Sequence, residues 1–215
     1  AKSRMVIPGH VDPDGDIPVE EGGFRTDAPT ASQIALHLLL SMAARRKWRL
    51  KSFDVSNAFL SGKAQKRDIY VRPPKEGLPG VAPGSLIQII KSAYGLREAP
   101  RLWYLEARDK IIKAGFEELA TAPACFVVRD YAKEDAPPVG MLVLHVDDGN
   151  LICDSDETQE EVHAFLIDKL PKIEGGKTVV KRLGDCTETL NVKVEQRFDN
   201  NKFSIHISQA KYIQK

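Results

Sequence analysis

The chain has 215 residues, of which 42% are hydrophobic and 28% are charged, and its formal net charge is +1. This composition is typical of a folded protein with a sizeable core, argues against a disordered tail and gives no overall sign of a polyanion-binding protein. No stretch reaches the roughly 18 apolar residues of a membrane-spanning helix, and no signal peptide opens the sequence.

The charges are unevenly distributed along the chain. Residues 45–75 contain ten Lys or Arg and two acids, whereas residues 130–168 contain eleven Asp or Glu and one Lys. Two solvated faces would explain this pattern. A basic surface for a polyanion beside an acidic site for cations would also produce it.

The cysteines Cys125, Cys153 and Cys186 are far apart and form no C-x-x-C pair. An odd, widely spaced set favours a reducing intracellular compartment, the cytoplasm or the nucleus, over secretion. The chain starts at Ala1 and stops within a helix-like stretch at residues 208–215, so we expect it to be a piece of a longer polypeptide.

The first half of the chain predicts one helix among short strands. A short strand followed by a turn of Gly, Pro and Asp is expected within residues 2–16. Apolar residues recur at helical spacing in residues 29–48, where Thr30 or Ser32 can cap a helix. The other predicted elements are a strand, a Pro- and Gly-rich loop and a second strand, at residues 49–55, 73–84 and 85–90.

The second half predicts two helices and several strands. One helix covers residues 99–116, with Pro100 near its first turn. The other covers residues 155–171, with Ser155 or Asp156 as its cap. Strands are predicted at residues 124–131, 139–146, 178–183, 190–198 and 202–208, the last two joined by a turn at 199–201. Because helices and strands intermix irregularly, we expect an α+β fold with a mainly antiparallel sheet packed on helices.

Two adjacent carboxylates, Asp147 and Asp148, follow the apolar run of residues 141–146. A hairpin turn at Asp148-Gly149 or Gly149-Asn150 explains them by structure alone. A carboxylate at the end of a core strand is costly to bury without compensation, which points to a metal site as the alternative.

A third carboxylate, Asp54, follows another strand-like stretch. It is either the N-cap of a short helix that ends at Gly62 or a metal ligand. Mg²⁺ prefers oxygen ligands, and two such ions about 3.5–4 Å apart can hold the attacking and the leaving oxygen of a phosphoryl transfer. Asp54, Asp147 and Asp148 together would supply carboxylates for two Mg²⁺ ions.

Three stretches occur in an order that resembles one protein family. They are FDVSNAFLSG at residues 53–62, KSAYGLREAPRLW at 91–103 and LVLHVDDGNLI at 142–152. In this order they are similar to the reverse transcriptases of copia-type retrotransposons, and the similarity covers nearly all 215 residues. The resemblance implies an RNA-directed DNA polymerase with a right-hand fingers and palm architecture and most of the thumb missing.

The resemblance also implies domain boundaries. The fingers would comprise residues 1–48 and an insertion at 62–93. The palm would comprise residues 49–61, with the first catalytic strand, and 94–207, with the catalytic and closing hairpins. Residues 208–215 would begin the thumb.

Within the family pattern, the catalytic and metal-binding aspartates correspond to Asp54, Asp147 and Asp148. Phe59 corresponds to the aromatic residue that excludes a ribose 2′-hydroxyl, although a core aromatic is the commoner role by sequence alone. The other nucleotide-binding positions correspond to Lys2, Arg4, Tyr94 and Gly95, for which a solvated strand edge and an ordinary turn are the alternatives.

Three positions depart from the family pattern. His145 stands where the family usually has Tyr, and Glu98 stands where it usually has Gln and adds a negative charge near the nucleotide or template. The sequence LNVKV at residues 190–194 replaces a Leu-Gly-Ile-Glu-Val pattern and bears on the placement of the primer end. None of the three removes a catalytic carboxylate.

These observations favour a reverse transcriptase core that adds deoxynucleotides to a primer 3′-hydroxyl with two Mg²⁺ ions, for which Mn²⁺ can substitute. The implied partners are an RNA or DNA template with its primer and deoxynucleoside triphosphates, and no membrane. Contacts to the nucleic-acid backbone are assigned to Arg45, Arg46, Lys47, Lys63, Lys66 and Arg67. The alternatives are an inactive nucleic-acid-binding remnant of a retroelement and a scaffold domain whose aspartates are a cap and a turn.

Overall fold

A computed structural model describes residues 5–129, 136–169, 184–200 and 202–210. The strand predicted at 178–183 and the residues Lys2 and Arg4 lie outside these ranges. The chain divides into two compact units. The smaller unit comprises residues 1–28 and 57–107, and the larger unit comprises residues 29–56 and 108–215.

Three α-helices form where the sequence predicts them, namely α1 at Gln33–Arg46, α2 at Ala99–Lys113 and α3 at Asp156–Lys169. Ser32 caps α1, because its hydroxyl accepts from the N–H of Ala35 at 3.1 Å. Ser155 caps α3 in the same way, through the N–H of Thr158 at 3.0 Å. Among the described residues, no helix combines the length and the apolar character needed to cross a membrane.

Strands lie in both units, and most of those that the structure describes belong to the larger one. In chain order they are β1 (Lys51–Asp54), β2 (Tyr70–Val71), β3 (Ile87–Gln88), β4 (Glu117–Glu118), β5 (Cys125–Arg129), β6 (Pro138–His145), β7 (Asp148–Cys153), β8 (Gly184–Asp185), β9 (Glu188–Thr189), β10 (Val192–Asp199) and β11 (Lys202–Ser208).

The larger unit contains two sheets. Its six-stranded sheet has the order β4-β5-β6-β7-β1-β8, and its three-stranded sheet has the order β11-β10-β9. In the smaller unit, β2 pairs with β3. All described pairings between named strands are antiparallel, so the fold is mixed α and β with an antiparallel sheet packed on helices.

The main core of the larger unit lies between α1, the six-stranded sheet and the three-stranded sheet. It contains Leu39 of α1, Val143 of β6, Ile152 of β7 and Val194 of β10. Because alternate residues of a strand point to opposite faces, this packing decides which residues of β6 and β7 face α1.

The smaller unit has a separate core of Ile7, Ile89, Leu96 and Ala99. The strand predicted at its start is not seen in residues 5–16, which contain 3₁₀ turns instead.

These 3₁₀ turns, Gly9–Val11 and Pro13–Asp16, are stabilised by Arg97. Its guanidinium donates to the carbonyl oxygens of Gly9 at 3.1 Å and of Gly15 at 2.8 Å. The Gly, Pro and Asp turn predicted for this segment is therefore present, and the Arg97 side chain holds it.

Candidate active site

Strand β1 pairs with β7 in a register that places Asp54 opposite Asp148. The N–H of Val55 donates to the carbonyl oxygen of Asp147 at 2.8 Å, and Val55 and Asp147 are therefore a hydrogen-bonded pair next to Asp54 and Asp148. Asp54 and Asp148 therefore form a non-hydrogen-bonded pair. In such a pair the Cα atoms are about 4.5 Å apart and the side chains lie over the same face of the sheet.

The two carboxylates line one cavity of about 210 Å³ in the larger unit. Asp54 is half-buried and Asp148 is exposed. The lining comes from β1, β7 and β9, and consists of Ser52, Phe53, Asp54, Asp148, Gly149, Asn150, Glu188 and Thr189. Carboxylates grouped on one wall of a cavity create a negative potential that favours a bound cation.

The turn that carries the aspartate pair lies earlier than predicted. Strand β6 ends at His145 and β7 begins at Asp148, so Val146 and Asp147 are the central turn residues. The prediction of a turn around Gly149 is wrong. Val146 has a φ of 56°, a left-handed conformation that a β-branched residue adopts only with strain of about 1–3 kcal/mol.

Gly149 is needed for packing within the sheet. It is the register partner of Phe53, which lies on β1. A Cβ atom at Gly149 would lie 2.1 Å from Cζ of the Phe53 ring. The ring therefore occupies the space of the missing side chain, and Gly149 remains within the strand instead of forming the turn.

We expect Gly149→Ala to destabilise the larger unit by about 1–3 kcal/mol, because the ring or the strand must shift to admit a methyl group. Gly184→Ala is the matched control. Gly184 lies on β8 of the same sheet and a Cβ there meets nothing within 4 Å, so stability should change by less than about 0.5 kcal/mol. Urea unfolding followed by circular dichroism measures both variants, and equal midpoints would contradict the packing account.

Asn150 is a buried polar residue of this site that the sequence did not indicate. It is 1% exposed and lies two residues after Asp148 on the same face of β7. Its Nδ2 donates to Oγ1 of Thr189 at 2.9 Å, and the Cys186 thiol donates to its Oδ1 at 3.5 Å. Burial raises the pKa of Cys186 to about 11, so the thiol keeps its proton at neutral pH. These bonds attach the β9 wall of the cavity to the strand that carries Asp148.

The opposite face of β1 is held by α3. Lys51 is buried, and its Nζ lies 3.0 Å from the carboxylate of Glu160. The Phe53 ring points to the same side and lies near the His163 ring, with 6.4 Å between the ring centroids. Because successive side chains alternate in direction, this packing turns Asp54 toward the cavity.

The capping explanation of Asp54 does not hold. The short helix after it is a 3₁₀ turn at Ala58–Ser61, whose N-cap position is Asn57. Asp54 is the last residue of β1, three positions earlier. Gly62 ends the turn, as the sequence predicted.

Asp147 contributes a main-chain carbonyl to the pairing with β1, as described above. Within the ranges that the structure covers, no group of three or more His, Cys, Asp or Glu side chains is arranged to hold a metal ion. The side chains of Asp54 and Asp148 share a cavity, and a ligand role for Asp147 stays a prediction. His145 faces Asp148 across the hairpin, and its buried Nδ1 has no hydrogen-bond partner in the described part of the chain.

In the smaller unit, the Phe59 and Tyr94 rings form an edge-to-face pair with centroids 5.6 Å apart. The Tyr94 hydroxyl donates to Oδ1 of Asn57 at 3.4 Å. Phe59 is half-buried and packs against the core of this unit, made of Ile7, Ile89, Leu96 and Ala99. The ring is therefore held in place on two sides.

Gly95 is required by a close main-chain contact. Its φ is 93°, and a Cβ there would lie 1.9 Å from the carbonyl oxygen of Ile7. The N–H of Ile7 donates to the carbonyl oxygen of Tyr94 at 2.7 Å. The segment around Tyr94 is thus more than an ordinary turn, because it pairs with the N-terminal segment of the same unit.

Arg67 belongs to an internal ion cluster of the smaller unit. Its guanidinium donates to the carboxylates of Asp12, Asp14 and Glu98. It also lies over the Phe24 ring, 4.1 Å from the centroid. The hydrogen bond from Arg67 is the main cause that lowers the pKa of Asp12. Because the guanidinium is committed to these partners, the predicted contact between Arg67 and nucleic acid does not fit the structure.

Glu98, one of the departures from the family pattern, is part of this cluster. It is 4% exposed, and its Oε1 accepts from Nη2 of Arg67 at 2.8 Å and from Nε at 3.1 Å. The Arg67 guanidinium thus compensates the charge of Glu98 within the smaller unit. Glu98 therefore does not present a negative charge to a nucleotide or template, contrary to the expectation from sequence.

The departure at residues 190–194 preserves a hairpin. Thr189 and Val192 are paired, and the two residues between them, Leu190 and Asn191, have φ values of 48° and 62°. Positive φ at both positions is typical of a type I′ turn. Asn191 stands at the family's glycine position and tolerates the left-handed conformation.

The other predicted nucleic-acid contacts are cations at or near the surface. Arg45, Arg46 and Lys47 are exposed at the C-terminal end of α1 in the larger unit. Lys66 is exposed and Lys63 is half-buried in the smaller unit. Their contact with nucleic acid stays a prediction, for which accessible positive charge is the requirement.

A family model described as Reverse transcriptase (RNA-dependent DNA polymerase) matches residues 1–215. The retrovirus-related Pol polyprotein from transposon TNT 1-94 of Nicotiana tabacum is 27% identical over 215 residues, which are 100% of this chain and 15% of that protein. The corresponding polyprotein from transposon RE1 of Arabidopsis thaliana is 29% identical over 133 residues, 62% of this chain and 9% of that protein. The transposon Ty1-BL Gag-Pol polyprotein of Saccharomyces cerevisiae is 31% identical over 121 residues, 55% of this chain and 6% of that protein.

No solved structure matches the chain significantly. The chain spans less than a sixth of the length of these curated relatives, all of which are transposon polyproteins. The family match nevertheless covers every residue, including the strand and the hairpin that carry Asp54, Asp147 and Asp148. The chain therefore belongs to the reverse transcriptase (RNA-dependent DNA polymerase) family, in its copia-type retrotransposon branch.

Proposed function

We propose that this chain is the catalytic core of an RNA-directed DNA polymerase, in which a primer 3′-hydroxyl attacks the α-phosphate of a deoxynucleoside triphosphate. The observation that supports it most is the pairing of Asp54 with Asp148 beside the turn that contains Asp147. A cap and a turn would not need these carboxylates on one face of a sheet. The register of β1 and β7 instead preorganises two of them before any substrate binds.

The residues present fit a divalent cation, because Asp54 and Asp148 bring carboxylate oxygens to one cavity and Mg²⁺ prefers such ligands. Asp54, Asp147 and Asp148 would hold two Mg²⁺ ions, for which Mn²⁺ can substitute. When bound, the ions supply a lowered pKa for the attacking hydroxyl and neutralise charge on the pyrophosphate leaving group.

The chain's own packing sets where these carboxylates are. The contact between Phe53 and Gly149 holds β1 against β7, and Lys51 with Glu160 holds the opposite face of β1 on α3. Asp54 is therefore fixed through its own strand, so little reorganisation is needed when charge develops on the reacting phosphate.

We infer that the larger unit is the palm, because it contains β1 and the β6–β7 hairpin, and that the smaller unit belongs to the fingers. In this assignment α1 joins the palm unit, although it falls within the predicted fingers segment of residues 1–48. The thumb would begin at residues 208–215. Template and primer backbones would contact the accessible cations Arg45, Arg46, Lys47, Lys63 and Lys66.

Nucleotide selection is assigned to the smaller unit. The Phe59 ring, held by the core and by Tyr94, would leave no room for a 2′-hydroxyl. Gly95 would let the main chain approach the incoming nucleotide closely. Lys2 and Arg4 would contact the triphosphate. The three cysteines are free, buried thiols, which fits a reducing compartment such as the cytoplasm or nucleus.

Phe59→Ala is expected to raise the ratio of kcat/KM for ribonucleotides to that for deoxynucleotides by about tenfold to a hundredfold, because truncation opens space for the extra oxygen. Both values are lowered by the same factor when less protein is folded, so their ratio does not depend on the folded fraction. Phe198→Ala is the control, since Phe198 is an exposed aromatic residue of the larger unit. Unchanged sugar selectivity in Phe59→Ala would remove Phe59 from the proposed site.

Primer extension tests the proposed function directly. The unmutated chain, and the longest reading frame that contains it, are incubated with a DNA primer on an RNA template, deoxynucleotides and Mg²⁺. Extension that stops on chelation supports the polymerase. Salt-dependent binding of the template–primer without extension would favour the alternative, an inactive nucleic-acid-binding remnant.

A further inference from the structure

One side-chain amide joins the strand that carries Asp54 to a neighbouring hairpin of the larger unit. Leu50, directly before β1, donates its N–H to Oε1 of Gln196 on β10 at 2.8 Å. Nε2 of Gln196 donates back to the carbonyl oxygen of Leu50 at 2.8 Å. The amide therefore pairs with the main chain of Leu50 as a neighbouring strand would.

This link connects two different sheets. Strand β1 belongs to the six-stranded sheet, and β10 belongs to the three-stranded sheet. The three-stranded sheet also supplies Glu188 and Thr189, which line the cavity together with Asp54 and Asp148. The position of Glu188 and Thr189 relative to Asp54 thus depends on contacts between the two sheets. The Gln196 amide makes one of these contacts, and its hydrogen bonds are directional.

The same stretch of main chain is held from the opposite side by α3. Gln159 is 1% exposed, and its Nε2 donates to the carbonyl oxygens of Arg49 at 2.6 Å and of Leu151 at 3.3 Å. The two amides oppose a shift of the strand along its axis. A slip of one residue would turn Asp54 to the other face of the sheet.

The link carries no charge of its own. Glu195 and Arg197, next to Gln196 on β10, pair with each other at 2.9 Å and point to the opposite face of the strand. Arg49 lies 4.0 Å from the carboxylate of Asp185. A carboxyl group introduced at position 196 would therefore be the new titrating group in direct contact with Leu50.

We propose that Gln196 is a positioning residue for the polymerase reaction: through Leu50 and β1 it holds Asp54 opposite Asp148 and beside the β9 wall. The inference rests on the proposed function, because it treats Asp54 as a carboxylate that takes part in primer extension. Gln196 itself touches neither substrate nor cation. Its effect therefore appears in the rate of the chemical step and in cation affinity rather than in nucleotide binding.

Gln196→Glu tests the link, because a carboxyl group has the shape of the amide and loses its donor on ionisation. The protonated form donates to the Leu50 carbonyl and accepts from its N–H, whereas the ionised form only accepts. As this carboxyl group ionises, it loses the hydrogen bond that it donates to the Leu50 carbonyl oxygen. We expect kcat relative to the unmutated protein to fall about tenfold to a hundredfold as the pH rises and the carboxyl group ionises, with KM for deoxynucleotide unchanged.

A second readout is the affinity for Mn²⁺, measured by electron paramagnetic resonance, which should fall in Gln196→Glu over the same pH range. Gln196→Leu should lower kcat at every pH, because a leucine side chain makes no hydrogen bond with Leu50 at any pH. Gln209→Glu, at an exposed position of the larger unit, should follow the unmutated protein throughout. Circular dichroism at each pH gives the folded fraction by which the rates are divided.

If kcat per folded molecule and Mn²⁺ affinity of Gln196→Glu follow the unmutated protein at every pH, the amide only stabilises the fold and the proposal fails, even where stability drops. An unmutated protein that binds Mn²⁺ and does not extend a primer would instead contradict the proposed polymerase function. The Mn²⁺ titration then decides alone whether Gln196 positions the carboxylates.

Discussion

Asp54→Asn and Asp148→Asn are each expected to reduce kcat/KM for primer extension roughly a thousandfold, because each removes a carboxylate worth several kcal/mol of charge stabilisation in the transition state. Both replacements keep the shape of the side chain. The two carboxylates face each other as a non-hydrogen-bonded pair, so either replacement also relieves the repulsion between two like charges.

Measuring the melting temperature beside the activity distinguishes the loss of a metal ligand from unfolding of the protein. Asp199→Asn is the control, because Asp199 is an exposed carboxylate at the end of β10 in the same unit. Mg²⁺ should raise the melting temperature of the unmutated protein and have less effect on either asparagine variant. Primer extension that survives either substitution would rule out the Asp54–Asp148 pair as the catalytic centre.

Asp147→Asn belongs to the same series, because a ligand role for Asp147 is a prediction from the sequence alone. A loss as large as that of Asp148→Asn would add Asp147 to the metal ligands. Full activity would leave the turn residue with a main-chain role only, through its carbonyl contact with Val55.

Arg67→Met is expected to destabilise the smaller unit by about 3 kcal/mol, because it leaves buried carboxylates without their counter-charge. The Asp12 and Glu98 side chains are 11% and 6% exposed, so solvent cannot replace the lost donors well. The value lies at the low end for a broken buried pair, since a fifth of the Arg67 side chain stays exposed.

Urea unfolding and amide hydrogen exchange measure this effect, and residues 9–16 should lose protection first because the cluster holds them. Arg72→Met, at an exposed arginine of the same unit, should leave the midpoint unchanged. Adding Glu98→Gln to Arg67→Met should recover part of the loss, since it removes one uncompensated buried charge. A midpoint for Arg67→Met equal to that of Arg72→Met would show that the cluster contributes nothing.

Local sequence signals predicted the three helices and the strands β1, β5, β6, β10 and β11. The apolar spacing around Leu39 and the hydroxyls of Ser32 and Ser155 act within a few residues, so they can be read without knowing the rest of the fold. The closing hairpin of β10 and β11 was predicted for the same reason.

The predictions failed where a distant side chain decides the local conformation. A turn around Gly149 was the natural expectation, because glycine favours turns. The Phe53 ring, which comes from a strand almost a hundred residues earlier, occupies that space and moves the turn to Val146 and Asp147. The N-terminal strand is not seen in residues 5–16, where Arg97 holds the 3₁₀ turns of the predicted Gly, Pro and Asp segment.

The sequence by itself determined the antiparallel α+β class, from the order of its predicted elements, and the three aspartates worth testing, from their positions after predicted strands. The family came from the resemblance of three motifs in their order. Only the tertiary structure decided that Asp54 faces Asp148, that Arg67 pairs with Glu98 inside the smaller unit, and that Gln196 holds the main chain of Leu50. Each of these depends on a pairing between segments far apart in the chain. Strand register and burial set such pairings, and no local pattern encodes either of them.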